Sequence, residues 1–419
     1  MRALVFEPVW AGHRLHFVSM LLPGLIDAGA EVTVALAREA TGTSEYRAHL
    51  APLVERSADG AAAGRVRVDA WIPPARHGKL SYARDALAAL RHSIARARPD
   101  FLYVPTADGL SQMLGAARLL GRRALPRGLH SEALLLRGSF AYPAGLGWRQ
   151  RVQARLSWSA ATGAPWSILH HLDPLVCDRA RPGRLRLMPD PVETPAATGP
   201  AARADVLRRL GVPPDGRYLG TAGLLDRRKG VDLLIRAYAD ARRRGALADT
   251  DRLLLVGRAE PEIAALLAGE AEPLVRSGHI RVIDRFLDTA DFAAAIGAMD
   301  VVATPYPRHI GSASIVIRAA AAGRPVLGGT FGWIGWAVTR FGLGRTVDVA
   351  DPDAFAAALA RSLEESSTYR PSSAARRFVE FHTPDNYRAH WTMGLRRRLG
   401  LPPAEGLVTW ESVTESAVR

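Results

Sequence analysis

The chemistry this chain offers is that of cations. Of its 55 Lys and Arg residues, only Lys79 and Lys229 are Lys, and 41 acidic residues leave a formal charge of +14. Where Arg is the default cation, a retained Lys points to a need for a compact ammonium, as when a diphosphate oxygen must be reached in a tight site. Lys229 lies in Arg227-Arg228-Lys229-Gly230, between an apolar run and a helical pattern. Two further junctions carry basic groups in the same position: Gly12-His13-Arg14, and Arg308-His309-Ile310-Gly311-Ser312 ahead of a helix expected over Ala313 to Ala322. A cation at the positive end of a helix costs about 0.3–1 kcal/mol unless an anion compensates it. Three junctions with the same unfavourable choice point to a phosphate held on helix-terminal amides. The competing reading is that an Arg-rich chain places cations at helix starts by chance.

Other chemistries lose their support. No G-x-G-x-x-G follows the first strand, and there is no G-x-x-x-x-G-K-[ST], no kinase signature set and no G-x-S-x-G elbow, which removes the main support for nicotinamide, P-loop, kinase and serine-hydrolase readings. Cys177 is the one cysteine, so neither an internal disulfide nor a cysteine metal cluster is expected. His170 and His171 are adjacent and face apart, and the other histidines lack ligand spacing, so no metal is expected. The charge invites a nucleic-acid reading, with net +9 over residues 1–200 and +5 over the rest. The cations, however, are spread over helices without a recognised module, and no nucleic-acid partner is expected. The opening MRALVFEPVW has no long apolar h-region and no later stretch is a membrane span, which predicts a cytoplasmic protein.

These residues must be positioned by strands and helices. The run Ala3 to Phe6, a helical pattern through Phe17, Leu21, Leu22, Leu25 and Ile26, and a second apolar run Val32 to Leu36 form a strand-helix-strand unit, the building block of a parallel sheet covered on both faces. The alternation continues through Arg65 to Ala70, a helix over Tyr82 to Ala97, Asp100 to Val104, a helix over Leu110 to Leu120, and a short segment ending at His130. It breaks in PDPVETPAATGPAARA, residues 189–204, and restarts with Tyr218 to Ala222, a helix over Val231 to Arg242, and strands at Arg252 to Gly257, His279 to Ile283, Val301 to Thr304 and Pro325 to Gly328. At 419 residues the chain exceeds a single core. The expectation is two α/β domains, 1–195 and 205–375, with residues 376–419 forming helices that return to the first domain and a polar tail.

In order along the chain, AGHRLHFVSMLLPGLIDAGAEVTVAL, GLHSEA, LRLMPDPVE, YLGTAGLLDRRKGVDLLIRAYA, LLLVGRAE and DVVATPYPRHIGSASIVIRAAAAGRPVLGG resemble the retaining nucleotide-sugar glycosyltransferases of the GT-B fold, family 4 in particular. The resemblance covers the chain to about residue 395. It implies two facing Rossmann-like domains with an interdomain cleft, the first for the acceptor and the second for the donor. It further implies transfer of a sugar from a nucleoside-diphosphate sugar, with retention and without metal or other cofactor, to a hydroxyl acceptor that is a glycan, a lipid-linked species or a small molecule. His130 takes the place of a His near the transferred sugar, and Lys229 that of the diphosphate-binding lysine. Donor contacts are implied at Gly12, His13, Gly223, Arg228, Lys229, Gly257, Phe286, His309, Gly311, Ser312, Ser314 and Arg318.

The departures are specific. The family places an Arg directly after the glycine of its lysine unit, whereas Gly223 is followed by Leu224, leaving Arg227 or Arg228 to supply that charge. The family's Glu-x7-Glu pair falls on Ile310 and Arg318, and a guanidinium, with donors only, cannot replace a carboxylate toward sugar or ribose hydroxyls. Either the site is rebuilt around His309, Ser312, Ser314 and Arg318, or it has decayed and the protein is a binding or scaffold partner. Gly311 with two serines opening the helix favours the first. The stretch AYPAGLGWRQRVQARLSWSA spaces Trp148, Val152, Leu156 and Trp158 among Arg149, Arg151 and Arg155, which suits either an interfacial helix at the inner membrane face or a solvated helix packed on its domain.

Overall fold

A computed structural model describes residues 1–10, 14–58, 65–73, 79–121, 125–180, 185–193 and 199–415, with residues 58 and 79–83 in backbone only. The chain divides into a first unit, Met1–Pro189 with Pro384–Leu407, and a second, Asp190–Thr383 with Val408–Arg419.

The first unit is built on a parallel sheet of β1 (Arg2–Glu7), β2 (Glu31–Ala37), β3 (Val66–Ile72), β4 (Phe101–Val104), β5 (His130–Leu135), β6 (Ile168–His171) and β7 (Leu185–Leu187), in the order β3-β2-β1-β4-β5-β6-β7. β1 is central and reads as an unbroken apolar run because both its faces are covered. Ala3 and Val5 join Leu15, Val18, Leu21, Leu22 and Leu25 of the helix Arg14–Asp27 on one face. Leu4 and Phe6 join Leu90, Leu110 and Leu114 on the other. The helix Pro384–Arg398 adds Tyr387, Trp391 and Leu395 to the first of these cores, and Gly24 leaves room for it, since a Cβ there would lie 3.0 Å from Thr392 Cγ2.

The second unit repeats the plan with β8 (Arg217–Ala222), β9 (Asp251–Val256), β10 (Ile280–Ile283), β11 (Val301–Thr304), β12 (Val326–Gly329) and β13 (Gly344–Val347), parallel and ordered β10-β9-β8-β11-β12-β13. In both sheets the order reverses beside the first strand of the unit, between β1 and β4 and between β8 and β11. Such a reversal opens a crevice at the carboxyl ends of those strands, where ligands of open α/β sheets bind.

Three expectations change. The boundary sought between 195 and 205 falls at Pro189/Asp190, because Asp190 is tied into the second unit: its N–H donates to His382 Nδ1 at 3.0 Å and its carboxylate accepts from Ser312 at 2.8 Å. Residues 376–383 stay with the second unit, and only Pro384–Leu407 returns to the first. The expected polar tail contains the helix Trp410–Glu415, held on the second unit by Trp410 against Trp336, Phe341 and Phe381. No helix among the described residues is long and apolar enough to cross a membrane.

Candidate active site

At the carboxyl end of β8 the chain turns through Gly223, whose φ of 108° suits glycine. A Cβ on Gly223 would lie 2.7 Å from Lys229 Nζ, and one on Gly257, φ 119°, would lie 2.1 Å from the Gly223 carbonyl oxygen. The two glycines thus let the ends of β8 and β9 close up and bring the ammonium against bare backbone. Lys229 is delivered by a 3-10 turn, Arg227–Lys229, capped by Asp226, which accepts from the Lys229 N–H at 2.8 Å. Burial pulls the Lys229 pKa down to about 8; Asp226 opposes the shift and Arg228 adds to it. Of the two arginines offered for the missing charge, Arg227 faces Glu262 at 3.3 Å. Arg228 stays near the site, paired with Asp226 at 3.3 Å, and its field reaches His309.

The loop after β11 supplies the other side. His309 donates from Nε2 to the Ser312 carbonyl at 2.9 Å, which fixes the neutral tautomer. Burial lowers its pKa, as do Arg228 and Lys229, against the opposing hydrogen bond. Gly311, φ 97°, and Ser312 lead into the helix Ser314–Ala321, whose first turn carries no acidic residue. Ser312 Oγ donates to Asp190, a carboxylate that burial pushes above its ordinary range despite Ser312 and the positive field of Arg318. Arg318 is 8% exposed and lies over the ring of Phe292 at 5.7 Å. The same ring approaches the Cβ position of Gly223 at 4.0 Å, so Phe292 neighbours both Arg318 and the Gly223–Lys229 corner.

Gly223, Lys229, Gly257, His309, Gly311, Ser312 and Arg318 therefore share one end of the second sheet, with Ser314 opening the helix beside them. Phe286 is 92% exposed, and the aromatic beside Gly223 is Phe292. Gly12 and His13 lie outside the described residues. Asp190 and Phe292 were not singled out from the sequence. Asp190 sits between two prolines in the PDP of the linker, and Phe292 carries no signal beyond a helical pattern.

His130 is corrected. It opens β5 rather than ending a strand, because the apolar run that makes the strand follows it. This places it at the amino edge of the sheet, opposite the edge where ligands bind. There His130 Nε2 and His170 Nε2 each meet an oxygen of Glu132 at 2.8 Å. Burial pushes the Glu132 carboxyl up, but these hydrogen bonds win and hold it below its ordinary value. Gly394 covers the pair, since a Cβ on it would lie 2.8 Å from His130 Nε2. This is a core polar cluster.

At the carboxyl ends of β1 and β4 the first unit holds a cavity of about 820 Å³, lined among others by Arg14, Thr106, Arg137, Gln153, Phe140 and Trp158. Arg14 Nη1 donates to Glu7 at 3.3 Å and to Thr106 at 2.9 Å; Glu7 is fully buried and its pKa is raised by that burial. Phe140 and Trp158 stack at 4.4 Å. Trp158 belongs to the helix Trp148–Gly163, whose Trp148, Val152 and Leu156 are exposed at 71%, 48% and 66%. That part of the apolar stripe is not packed on its own unit.

Residues 216–365 match the family described as glycosyl transferases group 1. A D-inositol 3-phosphate glycosyltransferase of Acidothermus cellulolyticus is 32% identical over 196 residues, 44% of this chain and 42% of that relative. A phosphatidyl-myo-inositol mannosyltransferase of Mycolicibacterium smegmatis is 30% identical over 215 residues, 50% of this chain and 52% of its own length. The chain thus spans about half the length of the curated relatives it matches. Among solved structures, Anabaena HepE in complex with UDP and glucose aligns with a TM-score of 0.64 at 14% identity, over 95% of this chain and all of that one. Sucrose-phosphate synthase from Thermosynechococcus elongatus gives 0.68 at 16%, over 96% and 99%. The fold of the chain is that of the GT-B glycosyltransferases, and its sequence resembles family 4.

Proposed function

We propose, from the premise of that fold and the group 1 match, that the protein is a glycosyltransferase moving a sugar from a nucleoside-diphosphate sugar to a hydroxyl acceptor, with retention and without a metal ion. The observation that carries the reading is the Lys229 ammonium, set against Gly223 at the reversal point of the second sheet. When a nucleoside diphosphate leaves, negative charge grows on its β-phosphate, and a preorganised ammonium with backbone amides stabilises that charge more than it stabilises the ground state. The cations of the Lys229 turn are offered for the neutralising role that a divalent ion plays elsewhere.

The first-unit cavity is the proposed acceptor seat, with Arg14 and Arg137 toward a phosphate and the Phe140–Trp158 pair toward a ring or apolar group. The names of the relatives, which specify inositol phosphate and phosphatidyl-inositol acceptors, support a phosphorylated polyol. The exposed Trp148, Val152 and Leu156 beside three arginines support presentation of that acceptor at an anionic lipid surface. Co-sedimentation with vesicles containing phosphatidylglycerol is expected, and its absence removes the lipid-linked class.

The direct test is a thermal-shift panel of nucleoside diphosphates and their sugars, with and without EDTA. A ligand at 100 times its Kd adds about 2.7 kcal/mol of stability. One base is expected to respond, equally in EDTA. Silence across the panel leaves the scaffold alternative.

A further inference from the structure

The Arg318 guanidinium is buried and, apart from the Phe292 ring it lies over, has no partner in the fold. Among the described residues its side chain makes no hydrogen bond and no ion pair, and Nη1 is fully enclosed without a partner. Asp190 and Glu193 act on it only through their fields, and burial lowers its pKa. A desolvated, unpaired cation persists in a fold when something outside the fold completes it. Its neighbours say where: Phe292 lies against both it and the Gly223 turn, and Asp190 connects it to Ser312 of the Gly311 loop.

We infer that Arg318 seats an anionic group of the donor other than its diphosphate, so that the protein takes a nucleoside diphosphate carrying an acidic sugar. The inference rests on the nucleotide-sugar reading above. Lys229 comes from the turn against Gly223 and serves the diphosphate there, whereas Arg318 comes from the helix Ser314–Ala321, over Phe292 and within the field of Asp190, and is left for a second anion. A carboxylate matches the two parallel N–H groups of a guanidinium, whereas a hydroxyl offers one weaker acceptor and does not neutralise the charge. Asp190 lies near enough to hold the guanidinium in place but makes no direct bond that a ligand would have to break.

The test is calorimetric titration of the full-length protein with UDP, UDP-glucose and UDP-glucuronate, and with GDP, GDP-mannose and GDP-mannuronate, covering either base. For the base that binds, the uronate is expected to bind about tenfold or more tighter than its neutral counterpart. Arg318→Met should erase that preference while leaving affinity for the plain diphosphate within about threefold, and Arg318→Lys, which keeps the charge but loses the fork, should retain part of it. Equal affinity for uronate and neutral sugar in the unaltered protein overturns the inference and leaves the transferase reading intact. So does a uniform loss across all three ligands in Arg318→Met, which would put Arg318 on the diphosphate. Should no nucleotide bind the unaltered protein, the nucleotide-sugar reading itself falls and this inference with it.

Discussion

Lys229→Ala is expected to weaken nucleoside-diphosphate binding by about 2–4 kcal/mol, roughly thirtyfold to a thousandfold, with the melting temperature at neutral pH unchanged or raised. The magnitude follows from removing one partner of a desolvated charge pair while the phosphate stays. Stability is spared for a separate reason. With a folded pKa of about 8 against about 10.4 unfolded, the ammonium is held in the empty protein at a cost, so truncation removes no stabilising contact. The unfolded chain binds more protons between those two values, and this group's contribution to folding stability therefore rises with pH from about 8 to 10. Nucleotide affinity runs the other way: flat below about pH 7, it declines above 8 as the ammonium of the free protein deprotonates. Titration calorimetry from pH 6 to 9.5 separates the two trends. Lys229→Ala should bind weakly and without the decline, and an unchanged affinity in that variant would remove Lys229 from the site.

Much of the frame was legible because a parallel sheet writes itself as apolar runs alternating with helical spacing. Leu4, Val5 and Phe6 are hidden on both faces of β1, and the sequence has no polar residue there to suggest otherwise. Short elements at or next to the sheet edges were not legible. β6, β7 and β13 read Ile-Leu-His-His, Leu-Arg-Leu and Gly-Arg-Thr-Val, where polar residues interrupt so short a segment and leave no apolar run to mark a strand. The same weakness misplaced His130, since the segment ending there and the strand beginning there share one apolar neighbourhood. Lys229 stood out from composition, and its contact with Gly223 follows from a turn that only glycine accommodates. Asp190 and Arg318 were hidden differently: they are 128 residues apart in sequence, and a charge relation at that separation has no local signature. Arg318 was noticed as a departure from a pattern, but the carboxylate it faces was not.

That relation makes Arg318→Glu the second large effect. Asp190 is buried, its pKa already raised by that burial, and the field of Arg318 is one of the influences restraining the rise. Reversing the charge sets two carboxyl groups in a site with little water, where one must take a proton or the fold must open. Breaking a buried charge relation in this way costs about 3–5 kcal/mol, against far less for Arg318→Met, which deletes a cation the fold leaves unpaired. The pH dependence carries the sign. A carboxyl whose folded pKa is raised above its unfolded value leaves the folded state holding more protons between the two, so stability falls as pH rises through that window. The extra carboxylate raises the Asp190 pKa further and widens the window upward. The melting-temperature deficit of Arg318→Glu is therefore expected to be larger at pH 8 than at pH 5, and that of Arg318→Met to move in the same direction by less, since it removes the restraining field without adding a carboxylate. Nucleotide affinity at pH 7 should also drop in the Glu variant, because a carboxylate then stands beside Phe292, near the diphosphate. A deficit independent of pH would separate Asp190 from Arg318, and an affinity that rises would mean the site still calls for the carboxylate that the helix Ser314–Ala321 lacks.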